Sequence, residues 1–85
     1  MPEISRFLGI VVGMFYREHG VPHFHAAYGS HHISVEIETG IVHGEFPPRA
    51  LALALEWNRL HRVELLEDWA RARASQPLQR IAPLE

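Results

Sequence analysis

The spacing of apolar and polar residues divides the chain into a first half of strands and a second half of helix. From Phe7 to Tyr16 the run FLGIVVGMFY is apolar at odd and even positions alike. Its β-branched centre and aromatic flanks suit a strand covered on both sides. Gly9 and Gly13 fall on one face of such a strand, where they leave room for a bulky neighbour or mark a bulge or bend. After the turn-like REHGVP the pattern alternates, with Phe24, Ala26 and Tyr28 on one face and His23, His25 and Ala27 on the other. Gly29 and Ser30 read as a hairpin turn. HISVEIE alternates again, Ile33, Val35 and Ile37 facing inward and His32, Ser34, Glu36 and Glu38 outward. Thr39 and Gly40 form a second turn, and IVHGEF puts Val42 and Phe46 in and Ile41, His43 and Glu45 out.

From Pro48 the period changes. Residues 48–74 open on a proline suited to a first helical turn and are filled with Ala, Leu, Glu and Arg, all strong helix formers. At about 100° per position, Leu53, Trp57 and Leu60 form one stripe, and Leu66, Trp69 and Ala70 lie roughly opposite it. One straight helix cannot bury both stripes against one sheet. Either the helix breaks near His61 and Arg62, or the second stripe docks on another chain. The tail, residues 75–85, is punctuated by Pro77 and Pro83 and holds a possible short strand from Leu78 to Ile81. These elements predict an α+β fold in a single domain, residues 1–85. It is an antiparallel meander of about four strands within residues 7–46, followed by one long bent helix or two consecutive helices.

Composition narrows the chemistry. The 85-residue chain is 47% hydrophobic, enough for one core and against disorder. It has no cysteine, so any metal must be held by histidine and carboxylate rather than by thiolate. The net charge of -2 lacks the broad basic field of nonspecific nucleic-acid binding. All eight basic residues are arginine, whose forked guanidinium suits phosphate and carboxylate, so a local nucleic-acid patch stays possible. No leader, membrane-length apolar run or lipidation motif is visible, and the expectation is a soluble cytoplasmic protein without a membrane partner.

Folding the two hairpins on paper gathers the histidines. A two-residue turn at Gly29 and Ser30 sets His23 against Glu36, Phe24 against Val35, His25 against Ser34, Ala26 against Ile33 and Ala27 against His32. A two-residue turn at Thr39 and Gly40 sets Val42 against Ile37 and His43 against Glu36. Directly opposed Cβ atoms lie about 4.5–5.5 Å apart, so His23, Glu36 and His43 become neighbours on one face. Three uses of that face stay open. It is a solvated outer surface. Or it is a metal site drawing on His19, His23, His25 and Glu36, suited to zinc or manganese. Or it is an acid–base site in which His23, His25 and Glu36 handle protons. No phosphate-binding loop, dinucleotide fingerprint, serine elbow or zincin motif accompanies it.

The segments MPEISRF, HGVPHFHAAYG, IETG, LALEWNRLHRVELLEDWARA and PLQRIAPL, taken together, resemble the domain-of-unknown-function family 4160 over nearly the whole chain. The likeness rests on Pro-His-Phe-His at residues 22–25 followed by Tyr28, and on Trp57, His61, Leu65, Leu66 and Trp69. The family's motif usually reads Asp-His-x-Pro-Pro-His-Phe-His; here Glu18 stands for the acid and Val21 for the first proline. The resemblance implies a small prokaryotic protein often encoded beside a second small family, numbered 2442, in the manner of toxin–antitoxin pairs. The expected function is therefore a subunit of such a two-gene module. It would act on a protein partner from the adjacent gene, or as a homo-oligomer, through Arg62, Leu66, Trp69 and Arg73. The alternative is a metal- or histidine-dependent nuclease or hydrolase working through the histidine face.

Overall fold

A computed structural model describes residues 1–85. Five strands, β1 (Glu3–Phe7), β2 (Ile10–Gly13), β3 (His23–Tyr28), β4 (His31–Glu36) and β5 (Val42–Gly44), form one antiparallel sheet in chain order. Two helices follow, α1 (Pro48–Leu60) and α2 (Arg62–Arg73). The fold is the expected α+β meander with two consecutive helices and one strand more than expected.

The extra strand comes from the run read as continuous. It turns back at Leu8 and Gly9, whose φ values of 51° and 84° are both positive, as a two-residue type I′ hairpin requires. Gly13 serves a different purpose: a Cβ there would lie 2.3 Å from the Pro2 carbonyl oxygen. That close approach accompanies a shift of register in β1 between Glu3 and Ser5.

The β3–β4 hairpin has the expected register throughout, His23 opposite Glu36, Phe24 opposite Val35 and His25 opposite Ser34. The β4–β5 pairing has slid by two positions. Val42 lies opposite Val35 rather than Ile37, and His43 opposite Ser34 rather than Glu36. The reason is a wider turn. The Ile37 amide donates to the Pro22 carbonyl at 3.0 Å, leaving β5, while the Gly40 amide closes on the Glu36 carbonyl at 2.8 Å. A slide by two keeps side chains on their expected faces.

The helices cover the apolar face. Phe24, Ala26, Ile33, Val35 and Ile37 are buried there, while Tyr28 at the strand end and Val42 on the edge stay partly open. Trp57 of α1 is fully buried, its ring 5.5 Å from both Phe7 and Phe24. Small residues let α1 approach: its buried positions are Ala50, Ala54, Trp57 and Asn58, whereas Leu60 of the expected stripe is exposed. The chain breaks at His61 (φ -118°, ψ 27°). The break swings Leu65 and Trp69 into the same core, with Leu66 half-buried against it. Trp69 therefore needs no partner chain to cover it.

The tail forms no strand. Instead the Ile81 amide donates to the Ile4 carbonyl at 2.8 Å, and the Trp57 indole N–H donates to the Ala82 carbonyl at 2.9 Å. Ile81 is buried. Asp68, fully buried on α2, accepts from the Gln79 amide and the Arg71 guanidinium, both at 2.9 Å. No helix is long and apolar enough to cross a membrane.

Candidate functional site

The site assembles where β2 ends and β3 begins. Alternation in β3 aims Phe24 at the core and sends His23 and His25 to the opposite face. The segment between the strands, Met14–Pro22, folds back over that face through Arg17, whose φ of 57° is held by α2. The Arg17 amide donates to the Ala72 carbonyl at 3.2 Å and its Nε to the Ser75 hydroxyl at 2.7 Å. The next residue, Glu18, is thereby delivered to the two imidazoles.

His25 Nε2 lies 2.9 and 3.0 Å from the two Glu18 carboxylate oxygens, and His23 Nε2 lies 3.1 Å from one of them. One donor atom from each of the three residues falls within 4.8 Å of the other two. His23 Nδ1 sits 2.8 Å from the Val21 carbonyl oxygen. A carbonyl only accepts, so Nδ1 carries the proton and the Nε2 of neutral His23 presents a lone pair to the carboxylate. Two lone pairs that close need a cation between them, either a proton or a metal ion.

The dimensions fit a metal ion. Bonds of about 2.0–2.1 Å at tetrahedral angles place donor atoms roughly 3.3–3.4 Å apart. The carboxylate–imidazole spacings of 2.9–3.1 Å would open by a few tenths of an ångström, and the two imidazole nitrogens lie within 4.8 Å of each other. The Val21 carbonyl already fixes the His23 ring as outer partners of metal-bound histidines do. Two histidines and one carboxylate is a donor set suited to zinc, manganese or ferrous iron, and it leaves at least one position for water.

Aromatic rings wall the site. Phe15 meets His25 edge-on at 4.8 Å, Trp69 lies 5.0 Å from His23, and His32 stacks on His25 at 5.3 Å. The side chains of His23 and His25 are 15% and 11% exposed against 30% for Glu18, so the site opens on the carboxylate side. Burial, the largest influence on Glu18, pushes its carboxyl up. The hydrogen bonds and charges of His25 and His23 together outweigh it and hold the group below the usual carboxylate range.

Of the residues expected from sequence, His23 and His25 converge, and Glu36 and His19 stand beside them. Glu36 accepts from His43 Nε2–H at 2.9 Å and from the Thr39 hydroxyl at 3.1 Å, and these bonds lower its pKa, His43 most. His19 is exposed and lines a cavity with His23, Ser34, Glu36 and His43. The carboxylate that the sequence reading left out of the metal set is Glu18. The one signal for it was its place as the motif's acid, seven residues before His25. On α2, Trp69 is buried, Leu66 half-buried, and Arg62 and Arg73 exposed.

A family model described as "Domain of unknown function (DUF4160)" matches residues 9–70. No curated protein and no solved structure matches the chain.

Proposed function

The chain belongs to the family described as a domain of unknown function, DUF4160, whose description assigns no activity, and from the site itself we propose that this protein binds a divalent metal for hydrolytic chemistry. The observation that carries the proposal is the convergence of two imidazole Nε2 atoms on the Glu18 carboxylate, with His23 held in the tautomer a metal requires. A divalent ion there lowers the pKa of bound water toward neutrality and makes hydroxide available as a nucleophile. The aromatic walls shield the imidazoles, and Glu18 is the most exposed of the three ligands.

The test is titration of untagged, metal-stripped protein with zinc and with manganese by calorimetry. One ion per chain is expected, with affinity falling at least about 100-fold in Glu18→Gln, His23→Ala and His25→Ala, because each removes a direct ligand rather than an outer partner worth about 10–100-fold. Wild-type protein that binds neither ion would sink the proposal.

A second reading is a partner-binding subunit of a two-gene, toxin–antitoxin-like module in a prokaryotic cytoplasm. It draws on a different surface. Leu60 and Val63, 52% and 70% exposed, stand on either side of the helix break next to exposed Arg62. An apolar pair beside a cation suits an interface. Co-expression with the product of the adjacent gene tests it: Val63→Asp should abolish co-purification and leave metal binding intact.

A further inference from the structure

A cavity of about 210 Å³ lies beside the proposed metal site and shares His23 with it. Its other side chains include His19, Ser34, Glu36 and His43. The sheet register explains its shape. His25 lies opposite Ser34, and Ser34 opposite His43, so three strands contribute one transverse row. His25 and His43 stand two strand spacings apart, roughly 10 Å between backbones, with the small Ser34 between them. Of the three proposed ligands only His23 lines the cavity, where it shares a floor with His43.

That imidazole is oriented. Because a carboxylate only accepts, the 2.9 Å contact with Glu36 fixes the His43 proton on Nε2 and leaves a lone pair on Nδ1. Glu36 is itself clamped by the Thr39 hydroxyl, which in turn accepts from the Ile41 amide at 3.1 Å. A histidine whose tautomer is set by an anchored carboxylate is the arrangement of a general base. A metal at the neighbouring site would bring positive charge to the edge of the cavity. Its one carboxylate is engaged by His43 and Thr39, while His19, Ser34 and a metal at the neighbouring site remain able to donate to or attract negative charge.

Resting on the metal reading, we propose that Glu36 and His43 are the acid–base pair of the metal centre and that the cavity receives a phosphate ester. In the step, His43 Nδ1 takes a proton from water held at the metal as the water oxygen bonds to phosphorus. The bond from phosphorus to the leaving alkoxide breaks on the opposite side of phosphorus, that oxygen takes a proton from solvent, and His43 returns its own proton to solvent. Water and ester become acid phosphate and alcohol, with no oxidation or reduction.

The experiment uses full-length protein loaded with zinc or manganese. The probes are bis(p-nitrophenyl) phosphate and, as a carboxyl ester, p-nitrophenyl acetate. His43→Ala should slow phosphate-ester hydrolysis by about 10²–10⁴-fold, the usual range for a positioned proton-transfer group. Its metal affinity should not change, and added imidazole should restore part of the rate. His43→Gln keeps a donor for Glu36 but cannot take a proton; it should be equally slow, and it answers the question if the alanine variant fails to fold. Glu36→Gln should lie between these variants and the wild type. Failure of the wild type to bind metal would remove both proposals. Metal binding without phosphate-ester hydrolysis, hydrolysis of the acetate alone, or undiminished hydrolysis by the His43 variants would overturn this inference and leave the metal site standing.

Discussion

Phe24 and His25 are adjacent in sequence and point to opposite faces of β3, so they separate stability from chemistry. Phe24 is fully buried against Trp57. Phe24→Ala should cost about 3–5 kcal/mol, the usual range for an aromatic truncated in a core. His25→Ala removes a proposed ligand and leaves the core untouched. Urea unfolding and metal titration on both variants should therefore give opposite results. If Phe24→Ala costs under about 1 kcal/mol, the core is not arranged as described. The two histidines of this site were legible because strand alternation alone decides their face. Glu18 was not, because its placement depends on a positive φ at Arg17 held by Ala72 and Ser75, which lie far along the chain. The same chemistry makes Ser75 worth testing. Ser75→Ala should weaken metal binding by up to about tenfold without altering the circular dichroism spectrum, the lower end of the outer-partner range.

Among the elements, the β3–β4 hairpin was readable to the register because Gly29-Ser30 is ordinary turn chemistry between two alternating runs. The β1–β2 hairpin was hidden by its own turn. Leu8 sits in the left-handed region, 61% exposed, where Asn or Gly is the usual occupant. A non-glycine side chain there costs about 1–2 kcal/mol, less for Asn. Leu8→Asn should accordingly raise stability by about 0.5–1 kcal/mol in urea titrations; a loss would mean that Leu8 is held by packing instead. A break near His61 and Arg62 was one of two alternatives, a partner contact being the other, and the break occurs at His61. The mistaken member of the stripe was Leu60, because small Ala54 rather than a large residue lies against the sheet.

At the scale of the whole molecule, the tail decides how the sheet is closed. Residues 78–82 cover β1 through the Ile4 carbonyl, and Arg80 reaches Glu3 at 3.0 Å while Arg6 holds the same carboxylate at 2.9 Å. Hydrogen bonds from Arg6 first and Arg80 second hold Glu3 at about 2, against an ordinary 4.5. A lowered pKa in the folded state stabilises the fold above pH 4.5 and is lost as pH falls toward 2. Glu18 and Glu36 are lowered in the same direction. Urea midpoints should fall across that window, and Arg80→Gln should make the fall shallower. An unchanged profile would show that Arg80 does not hold Glu3 in solution. Ile4 and Ile81 are joined across almost the entire sequence. Closing so long a loop costs only modestly more than closing a shorter one, but the cost falls on a few contacts. The tail, held on β1 by this distant contact, is therefore expected to open before the β3–β4 hairpin under the histidines, whose pairing is local. In hydrogen exchange the Ile81 amide should open well before that of Ile33, so the molecule can breathe at its tail while the histidine cluster on its third strand stays assembled.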